Sequence, residues 1–403
     1  MQKHIVLTWE LGAGYGHIMG FTPLINVWLE RGYKVSLISR NTVTAGNLLR
    51  DHPVSILQAP LYSREVANKV DLTLTYADII YNLGYARTQD LVSLSNAWIN
   101  LFSLIKPDLI IADHSPSAVL AARCLDIKTV TYGTGFCIPP DVSPMPTFQV
   151  VTAAQQADCN EREQKTLQNL NTVLGSHKKE SLERVSQLFS ASLNFICSLP
   201  EVDHYGKVRT LPAEEYAGPR FDAQKGVKAD FPKHKTKKNI FAYIKENAPN
   251  FHALLNALIE SKQICIMHVP DPSHAVVNLC AKHPHLHLYS DPVQVEHVLK
   301  NADMAICHGG HGLVLAGLLA GKPMLLLPTQ LEQSLLTKRL SEQKICAAIN
   351  PRDTKANYLA GIRFTIENPI LRENVQNFAK KYSQLSNESA MSIIVDKCES
   401  FIV

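Results

Sequence analysis

Two segments of the sequence combine glycine with histidine, and each lies between an apolar run and a stretch with helical periodicity. They are Gly12-Ala13-Gly14-Tyr15-Gly16-His17 and Cys307-His308-Gly309-Gly310-His311-Gly312. Glycine lets the backbone approach a ligand closely, and the amides at a helix N-terminus favour a negative charge, so both segments suit an anionic ligand. Both also fall where a strand ends and a helix begins, the usual ligand position in open α/β sheets. We therefore expect two ligand sites.

In the first segment, His17 is the side chain that can take up a proton near neutral pH, and such a base needs an orienting partner. Asp113 follows the predicted strand 108–112, which we expect to end at the same edge of the sheet. Its carboxylate could accept a hydrogen bond from His17 and stabilise the imidazolium. In the alternative interpretation both residues only cap helices, and the two residues alone do not decide between these interpretations.

The glycine spacing of the first segment also raises the question of a dinucleotide cofactor. A dinucleotide-binding fingerprint requires glycine at position 17 and an acidic residue after the second strand. The sequence has His17 and Arg40 at these places. We therefore expect neither NAD(P) nor another bound cofactor.

The second segment is followed by two further motifs, Gly321-Lys322-Pro323-Met324 and Pro328-Thr329-Gln330-Leu331-Glu332-Gln333. Backbone amides of 309–312, next to a helix N-terminus and a histidine, can form a diphosphate cradle without a metal. Glu332 could accept hydrogen bonds from sugar hydroxyls, and Gln333 could both donate and accept. A glycine-rich turn alone would be an ordinary turn, but the motifs that follow it favour a nucleotide-sugar site.

The run from 292 to 333 resembles the donor-binding segment of GT-B nucleotide-sugar glycosyltransferases. This superfamily contains the glucuronosyltransferases, the plant UDP-glycosyltransferases and the bacterial antibiotic transferases. The matching features are Gly16-His17 followed by Arg31-Gly32, the strand-borne Asp113, His308 with Gly310, the Gly-x-Pro-Met motif at 321–324, and Glu332-Gln333 in place of the family's Asp-Gln.

The resemblance implies a site and a reaction. His17 would be the catalytic base with Asp113 as its partner, and Gly14 and Gly16 would lie on the acceptor side. His308, with Gly309, Gly310 and Gly312, would bind the pyrophosphate, and Glu332 and Gln333 would bind the sugar hydroxyls. The implied reaction is a metal-independent, inverting transfer of a hexose from a UDP- or dTDP-sugar co-substrate to an acceptor hydroxyl.

The sequence also departs from the family pattern. Leu313 stands where relatives have a phosphate-binding Ser or Thr, and Ala316 where many have a ribose-binding Glu. The Trp that stacks on uracil in plant relatives falls at Ser290, beside Tyr289, which becomes the candidate for the base. Two alternatives therefore stay open. One is a non-catalytic nucleotide-sugar-binding subunit or scaffold, and the other is an epimerase or hydrolase of the same fold.

Alternating strands and helices must position these residues. The chain of 403 residues exceeds what one core usually organises, so two α/β domains are expected. The fold class is α/β of the GT-B type, with two Rossmann-like, doubly wound parallel-sheet domains facing across a cleft. We place an acceptor-binding domain at 1–215, a linker at 216–238, a donor-binding domain at 239–370, and C-terminal helices at 371–403 that pack back on the first domain. Helices are expected to begin at Gly20, Leu313 and Ser334.

Composition excludes several other classes. Apolar residues make up 46% and charged residues 19%, which is typical of a folded globular chain. The net charge is +4, and the densest basic stretch, 233–238, is interpreted as linker, so no nucleic-acid partner is expected. Histidines at 283, 285 and 287 lack a carboxylate or thiol at matching distance, so no metal site is predicted.

The sequence also bears on location and acceptor. The nine cysteines form no CxxC pair, which fits reduced thiols in the cytoplasm. No signal peptide and no transmembrane segment are predicted, although peripheral membrane contact stays compatible. The acceptor could be a small molecule, a lipid or a glycan. We expect it to be held by helical insertions at 62–106 and 151–190.

Overall fold

The computed structural model describes residues 2–64, 69–209, 211–212, 215–220, 226–385 and 387–402. The chain forms two compact units. The first unit comprises Met1–Arg220 and Asn387–Val403, and the second comprises Phe221–Ser386. Part of the predicted linker, 221–225, lies outside the described residues.

The first unit is built on a six-stranded sheet in which all neighbouring strands are parallel. Its strands are β1 (His4–Trp9), β2 (Lys34–Ser39), β3 (Ser55–Gln58), β4 (Leu109–Asp113), β5 (Thr129–Gly133) and β6 (Leu193–Ile196). The order across the sheet is β3-β2-β1-β4-β5-β6, the doubly wound order. The central strands are buried along their whole length because helices cover both faces, which explains their uninterrupted apolar runs.

Helices connect these strands. They are α1 (Gly16–Glu30), α2 (Thr42–Leu48), α3 (Tyr76–Ile80), α4 (Thr88–Ile105), α5 (Pro116–Cys124) and α6 (Ala153–Ser176). The predicted insertions contain α3, α4 and α6, so their mostly helical character is confirmed for the described residues, outside which 65–68 lie. Tyr76, Tyr85 and Trp98 of these insertions are buried and pack in the core.

The second unit repeats the plan with a second six-stranded parallel sheet. Its strands are β7 (Asn239–Tyr243), β8 (Ile264–His268), β9 (Leu286–Tyr289), β10 (Met304–Cys307), β11 (Met324–Leu326) and β12 (Ala347–Ala348). Its helices are α7 (Phe251–Ser261), α8 (His274–Ala281), α9 (Val295–Asn301), α10 (His311–Leu319), α11 (Leu331–Glu342), α12 (Tyr358–Glu367) and α13 (Pro369–Lys381). The order is β12-β11-β10-β7-β8-β9, so both units have the same topology. The prediction of two Rossmann-like domains is confirmed.

The last helix, α14 (Asn387–Ile402), belongs to the first unit, whereas α13 belongs to the second. The segment 371–403, predicted as one C-terminal part, is thus divided between the units. Buried residues of α14 join the core of the first unit, and those described are Met391, Ile394, Val395, Cys398 and Ile402. At the surface, Arg31 at the end of α1 forms ion pairs with Asp396 at 2.8 Å and Glu399 at 2.6 Å.

Three helices begin earlier than the apolar periodicity predicts. α1 begins at Gly16 instead of Gly20, α10 at His311 instead of Leu313, and α11 at Leu331 instead of Ser334. The predicted starts were too late because a first helical turn needs no apolar face, and its amides make no intrahelical bonds. His17 and Glu332 therefore lie in first turns, where the helix dipole is positive.

Candidate active site

The structure places His17 and Asp113 at the point where the strand order of the first sheet reverses. β1 lies beside β4 there, and Trp9, the last residue of β1, is in register with Asp113. In doubly wound sheets the crevice at this point, outside the carboxyl ends of the strands, is the ligand position. The two predicted residues therefore reach the same sheet edge from elements almost 100 residues apart.

The two side chains are directly hydrogen-bonded. His17 Nδ1 lies 2.8 Å from Asp113 Oδ2, and the carboxylate is fully buried. Because a carboxylate only accepts, Nδ1 carries the proton and Nε2 is left to act as a base. Trp9 stacks on the imidazole, with ring centroids 5.1 Å apart. Neither α1 nor α5 has a side-chain cap at its N-terminus, so the alternative capping roles are not what the structure shows.

Asp113 has a second partner that sequence reasoning missed. This partner is Arg220, the last residue of the segment Met1–Arg220 of the first unit. Its Nη1 donates a hydrogen bond to Asp113 Oδ2, the oxygen that His17 also contacts, at 2.6 Å. Burial by itself raises the pKa of Asp113, but the charges of Arg220 and His17 and their hydrogen bonds outweigh it. The pKa of Asp113 therefore lies well below its usual range. No motif in the sequence signals Arg220, because the contact joins residues 107 positions apart.

His114 is a second imidazole at the site. Its ring lies 5.8 Å from the ring of His17, and it is buried. Within the described part of the chain, neither ring nitrogen has a hydrogen-bond partner. Burial, followed by the charge of His17, lowers the pKa of His114 to about 3, so the ring is uncharged. Its φ of 48° is left-handed, a conformation that costs a non-glycine residue energy and concentrates at functional sites.

Glu10 is a buried carboxyl group next to the site that the sequence did not reveal. Its two oxygens accept hydrogen bonds from Ser117 N at 2.9 Å and Ser117 Oγ at 2.6 Å, at the beginning of α5. Burial raises the pKa of Glu10 to about 7, against the smaller lowering effects of these bonds and of Arg40. The glutamate therefore titrates close to neutral pH.

The glycines of the first segment differ in their surroundings. Gly12 has φ +86°, and a Cβ there would lie 2.8 Å from His17 Nε2 and 3.1 Å from a ring nitrogen of His114. Gly14 has φ +96° and Gly16 begins α1, but a Cβ on either would meet nothing within 4 Å. Gly12, which was not among the predicted site residues, is thus the glycine that leaves room for the imidazoles.

Gly12→Ala and Gly14→Ala form a matched pair. Both place alanine at positive φ, so each should lower the free energy of unfolding by about 1–2 kcal/mol. Only Gly12→Ala should displace the His17 ring, and it should abolish the downfield proton NMR signal of the Nδ1–H bonded to Asp113. The same signal in both variants would show that Gly12 has no role in placing the imidazole.

In the second unit, the strand order reverses between β7 and β10, and His308 follows β10 there. Its Nδ1 donates to Leu327 O at 3.3 Å, and its Nε2 accepts from Lys245 N at 2.9 Å. Burial lowers the pKa of His308. Because Nε2 accepts a hydrogen bond, this nitrogen carries no proton. Lys245, His308 and Leu327 follow β7, β10 and β11, so the imidazole links the carboxyl ends of these three strands through hydrogen bonds. A direct contact with a pyrophosphate would require one of these bonds to break.

The glycines after His308 lead into α10. Gly309 has φ +82°, and a Cβ there would lie 3.0 Å from Thr337 Oγ1, so this turn requires glycine. Gly310 is the residue before the first turn of α10, and a Cβ on it would meet nothing within 4 Å. Gly312 lies in the first turn. The N-terminus of α10, where the helix dipole is positive, follows this open position directly, which suits an anion.

The remaining predicted donor residues lie at the same end of the second sheet. Glu332 and Gln333 are in the first turn of α11, half-buried. Gln333 Oε1 accepts from Thr329 N at 2.9 Å and Gln330 N at 3.2 Å, so this oxygen caps the helix. Tyr289 is the last residue of β9, the edge strand. This strand lies three positions away from β10 in the sheet, and neighbouring strands are about 4.8 Å apart.

The described residues contain no group of three His, Cys, Asp or Glu side chains placed to hold a metal ion. They also contain no helix that is both long and apolar enough to cross a membrane.

Solved structures resemble the chain over nearly its whole length. The calicheamicin glycosyltransferase CalG4 superposes with a TM-score of 0.69 at 16% identity, covering 100% of this chain and 98% of CalG4. The spinosyn rhamnosyltransferase SpnG, in complex with thymidine diphosphate, superposes with a TM-score of 0.67 at 13% identity, covering 98% and 100% of the two chains. The two Rossmann-like units are thus those of the GT-B fold, as predicted.

Sequence similarity is more limited. No protein-family model matches the chain. A segment of 106 residues is 28% identical to NDP-glycosyltransferase YjiC of Bacillus licheniformis. This match spans 26% of the chain and 26% of that relative.

Proposed function

We propose that the chain is an inverting glycosyltransferase that moves a sugar from a nucleoside diphosphate to an acceptor hydroxyl. The observation that carries the proposal is the buried His17–Asp113 hydrogen bond of 2.8 Å at the switch point of a GT-B fold. A scaffold that only binds nucleotide sugars has no need of an oriented base. The fold shared with CalG4 and SpnG and the match to YjiC support the same activity.

In the proposed step, His17 Nε2 removes the proton of the acceptor hydroxyl as its oxygen attacks the anomeric carbon. The bond to the diphosphate breaks on the opposite face of the sugar, which inverts the configuration. Asp113 accepts a hydrogen bond from Nδ1–H and stabilises the imidazolium that forms. The amides at the beginning of α10 stabilise the negative charge that develops on the leaving diphosphate.

We assign donor binding to the second unit. The contacts of His308 with Lys245 N and Leu327 O favour the positive N-terminus of α10, instead of the imidazole, as the group that holds the diphosphate. Glu332 and the amide nitrogen of Gln333 would bind sugar hydroxyls, and Tyr289 would contact the nucleoside. Thymidine diphosphate, the ligand of the SpnG structure, makes dTDP-sugars the first donors to test, followed by UDP-sugars.

The proposed compartment and acceptor follow from general properties of the chain. The nine cysteines are free and buried, which supports a reducing compartment such as the cytoplasm. The acceptor, a small molecule, lipid or glycan, would contact the helical insertions of the first unit, since loops and insertions at the strand ends carry variable binding residues.

The test is transfer from a panel of dTDP- and UDP-sugars to phenolic, lipid and glycan acceptors, with EDTA present. We expect turnover in EDTA and a product whose anomeric configuration, measured by proton NMR, is opposite to that of the donor. Binding of a nucleoside diphosphate without turnover of any acceptor would favour the scaffold. Breakdown or isomerisation of the donor without an acceptor would favour the hydrolase or epimerase.

Gly310→Ala tests the diphosphate position. A Cβ at Gly310 meets no protein atom within 4 Å, so folding should be affected little, but it would occupy the place proposed for the anion. We expect the Kd for thymidine diphosphate, measured by calorimetry, to rise about 10-fold or more, which corresponds to ~1.4 kcal/mol. Gly175→Ala, also in open space but on α6, is the control. An unchanged Kd in Gly310→Ala would move the diphosphate away from α10.

A further inference from the structure

Residues of the first unit leave space for the Arg220 side chain and contact its guanidinium. A Cβ on Gly20 of α1 would lie 3.2 Å from Arg220 Cδ, so glycine at this position leaves room for the side chain. The guanidinium lies over the ring of Tyr132, 5.3 Å from its centroid, and Nη1 is also 3.4 Å from Tyr132 O. Arg220 is 8% exposed. Elements of the first unit thus enclose an arginine whose ionic partner is Asp113.

The arginine and the proposed base share one oxygen atom. Arg220 Nη1 and His17 Nδ1 lie 2.6 Å and 2.8 Å from Asp113 Oδ2, so the two nitrogens are at most about 5.4 Å apart. Asp113 Oδ1 has no hydrogen-bond partner within the described ranges. Every polar contact that the structure describes for the Asp113 carboxylate is therefore made through Oδ2. This oxygen lies between the Arg220 guanidinium, a permanent cation, and the His17 imidazole.

We propose that Arg220 is a positioning residue of the active site, which fixes Asp113 Oδ2 towards His17 Nδ1 and offsets the negative charge of this carboxylate beside the imidazole. This inference rests on the proposed function, because it concerns the base. With Arg220 present, the buried carboxylate is already neutralised, and protonation of His17 adds a second positive charge close to the guanidinium. Without Arg220, the charge of the carboxylate would be uncompensated, and it would bind a protonated His17 more tightly.

The other ionisable groups around His17 do not supply this effect. His114 is uncharged, since burial lowers its pKa to about 3. Both carboxylate oxygens of Glu10 accept hydrogen bonds from Ser117. Arg40 donates to the backbone oxygen of Glu10 at 3.2 Å. Arg220 is therefore the cation in direct contact with the partner of the base.

The test is an NMR titration of histidine-labelled protein between pH 5 and 9, with the His17 ring signals identified from a His17→Gln sample. In Arg220→Met, we expect the pH at which the His17 signals change to rise by on the order of one to two units, from the charge removed at this distance. Arg220→Lys should restore the wild-type titration, because one cationic nitrogen reaches Oδ2 in the native contact. The acid limb of the pH–rate profile for transfer should move in the same direction as the NMR signals.

Arg209→Met is the matched control. Arg209 and Asp203 form another buried ion pair of the first unit, also 2.6 Å long, and this variant should lose stability without changing the His17 titration. If Arg220→Met does not fold, Arg220→Gln replaces it, since its amide can still donate to Asp113 without a charge. A folded neutral variant with the wild-type titration, or Arg220→Lys titrating like Arg220→Met, would overturn the inference. The titration needs no substrate, so it fails or succeeds independently of the transferase assay.

Discussion

Replacing His17 by alanine is expected to lower turnover about 10²–10⁴-fold, the usual contribution of a general base, while leaving the affinity for thymidine diphosphate unchanged. The physical reason is that Nε2 is the atom left to accept the acceptor proton, while Nδ1 is bonded to Asp113 at 2.8 Å. His17 belongs to the first unit, and the proposed diphosphate site belongs to the second. The measurements are transfer kinetics and calorimetric titration with thymidine diphosphate.

The companion variants make this result specific. Asp113→Asn should also lower turnover, since the amide no longer provides the negative charge that stabilises the imidazolium. His177→Ala, at the end of α6, should behave as wild type. Turnover retained in His17→Ala would remove the base from the mechanism. Loss of thymidine diphosphate binding in the same variant would refute the division of roles between the two units.

The second large effect concerns stability and pH through Glu10. The pKa of this buried carboxyl group rises from 4.5 to about 7 on folding. Its contribution to stability is therefore complete below about pH 4.5, falls as the pH rises to about 7, and is lost above that. The wild type should lose about 3 kcal/mol through this group across the window, at about 1.4 kcal/mol per pH unit.

Glu10→Gln should abolish this loss, because the amide resembles the protonated acid and can still interact with Ser117. Above pH 7, the variant is expected to be more stable than the wild type by about the same 3 kcal/mol. Urea unfolding at pH 5, 6, 7 and 8 measures the difference. Glu161→Gln, on the exposed face of α6, is the control and should follow the wild type. Parallel curves for the wild type and Glu10→Gln would show that Glu10 does not titrate in this window.

Local sequence was sufficient for much of the fold. Apolar runs such as His4–Trp9 and Leu109–Asp113 can only be buried in a sheet covered on both faces, so they predict parallel strands. The helical stretches between the strands then predict the doubly wound order. The same rules place Asp113 and His308 at strand ends, because each follows an apolar run directly, and they place His17 at the glycine-rich turn that follows the first strand. Periodicity did not locate the helix starts, since the first turns carry glycine and polar residues.

What the sequence determined by itself is therefore the set of residues that chain order brings to the carboxyl edge of each sheet, including His17 and Asp113, whose hydrogen bond only the structure shows. The tertiary structure alone decided their environment. Arg220 reaches Asp113 across 107 positions, Glu10 is turned into the interior onto α5, and both ring nitrogens of His308 are used by backbone groups. Contacts of this kind leave no local pattern, because burial, charge pairing and hydrogen bonding depend on which distant elements pack together.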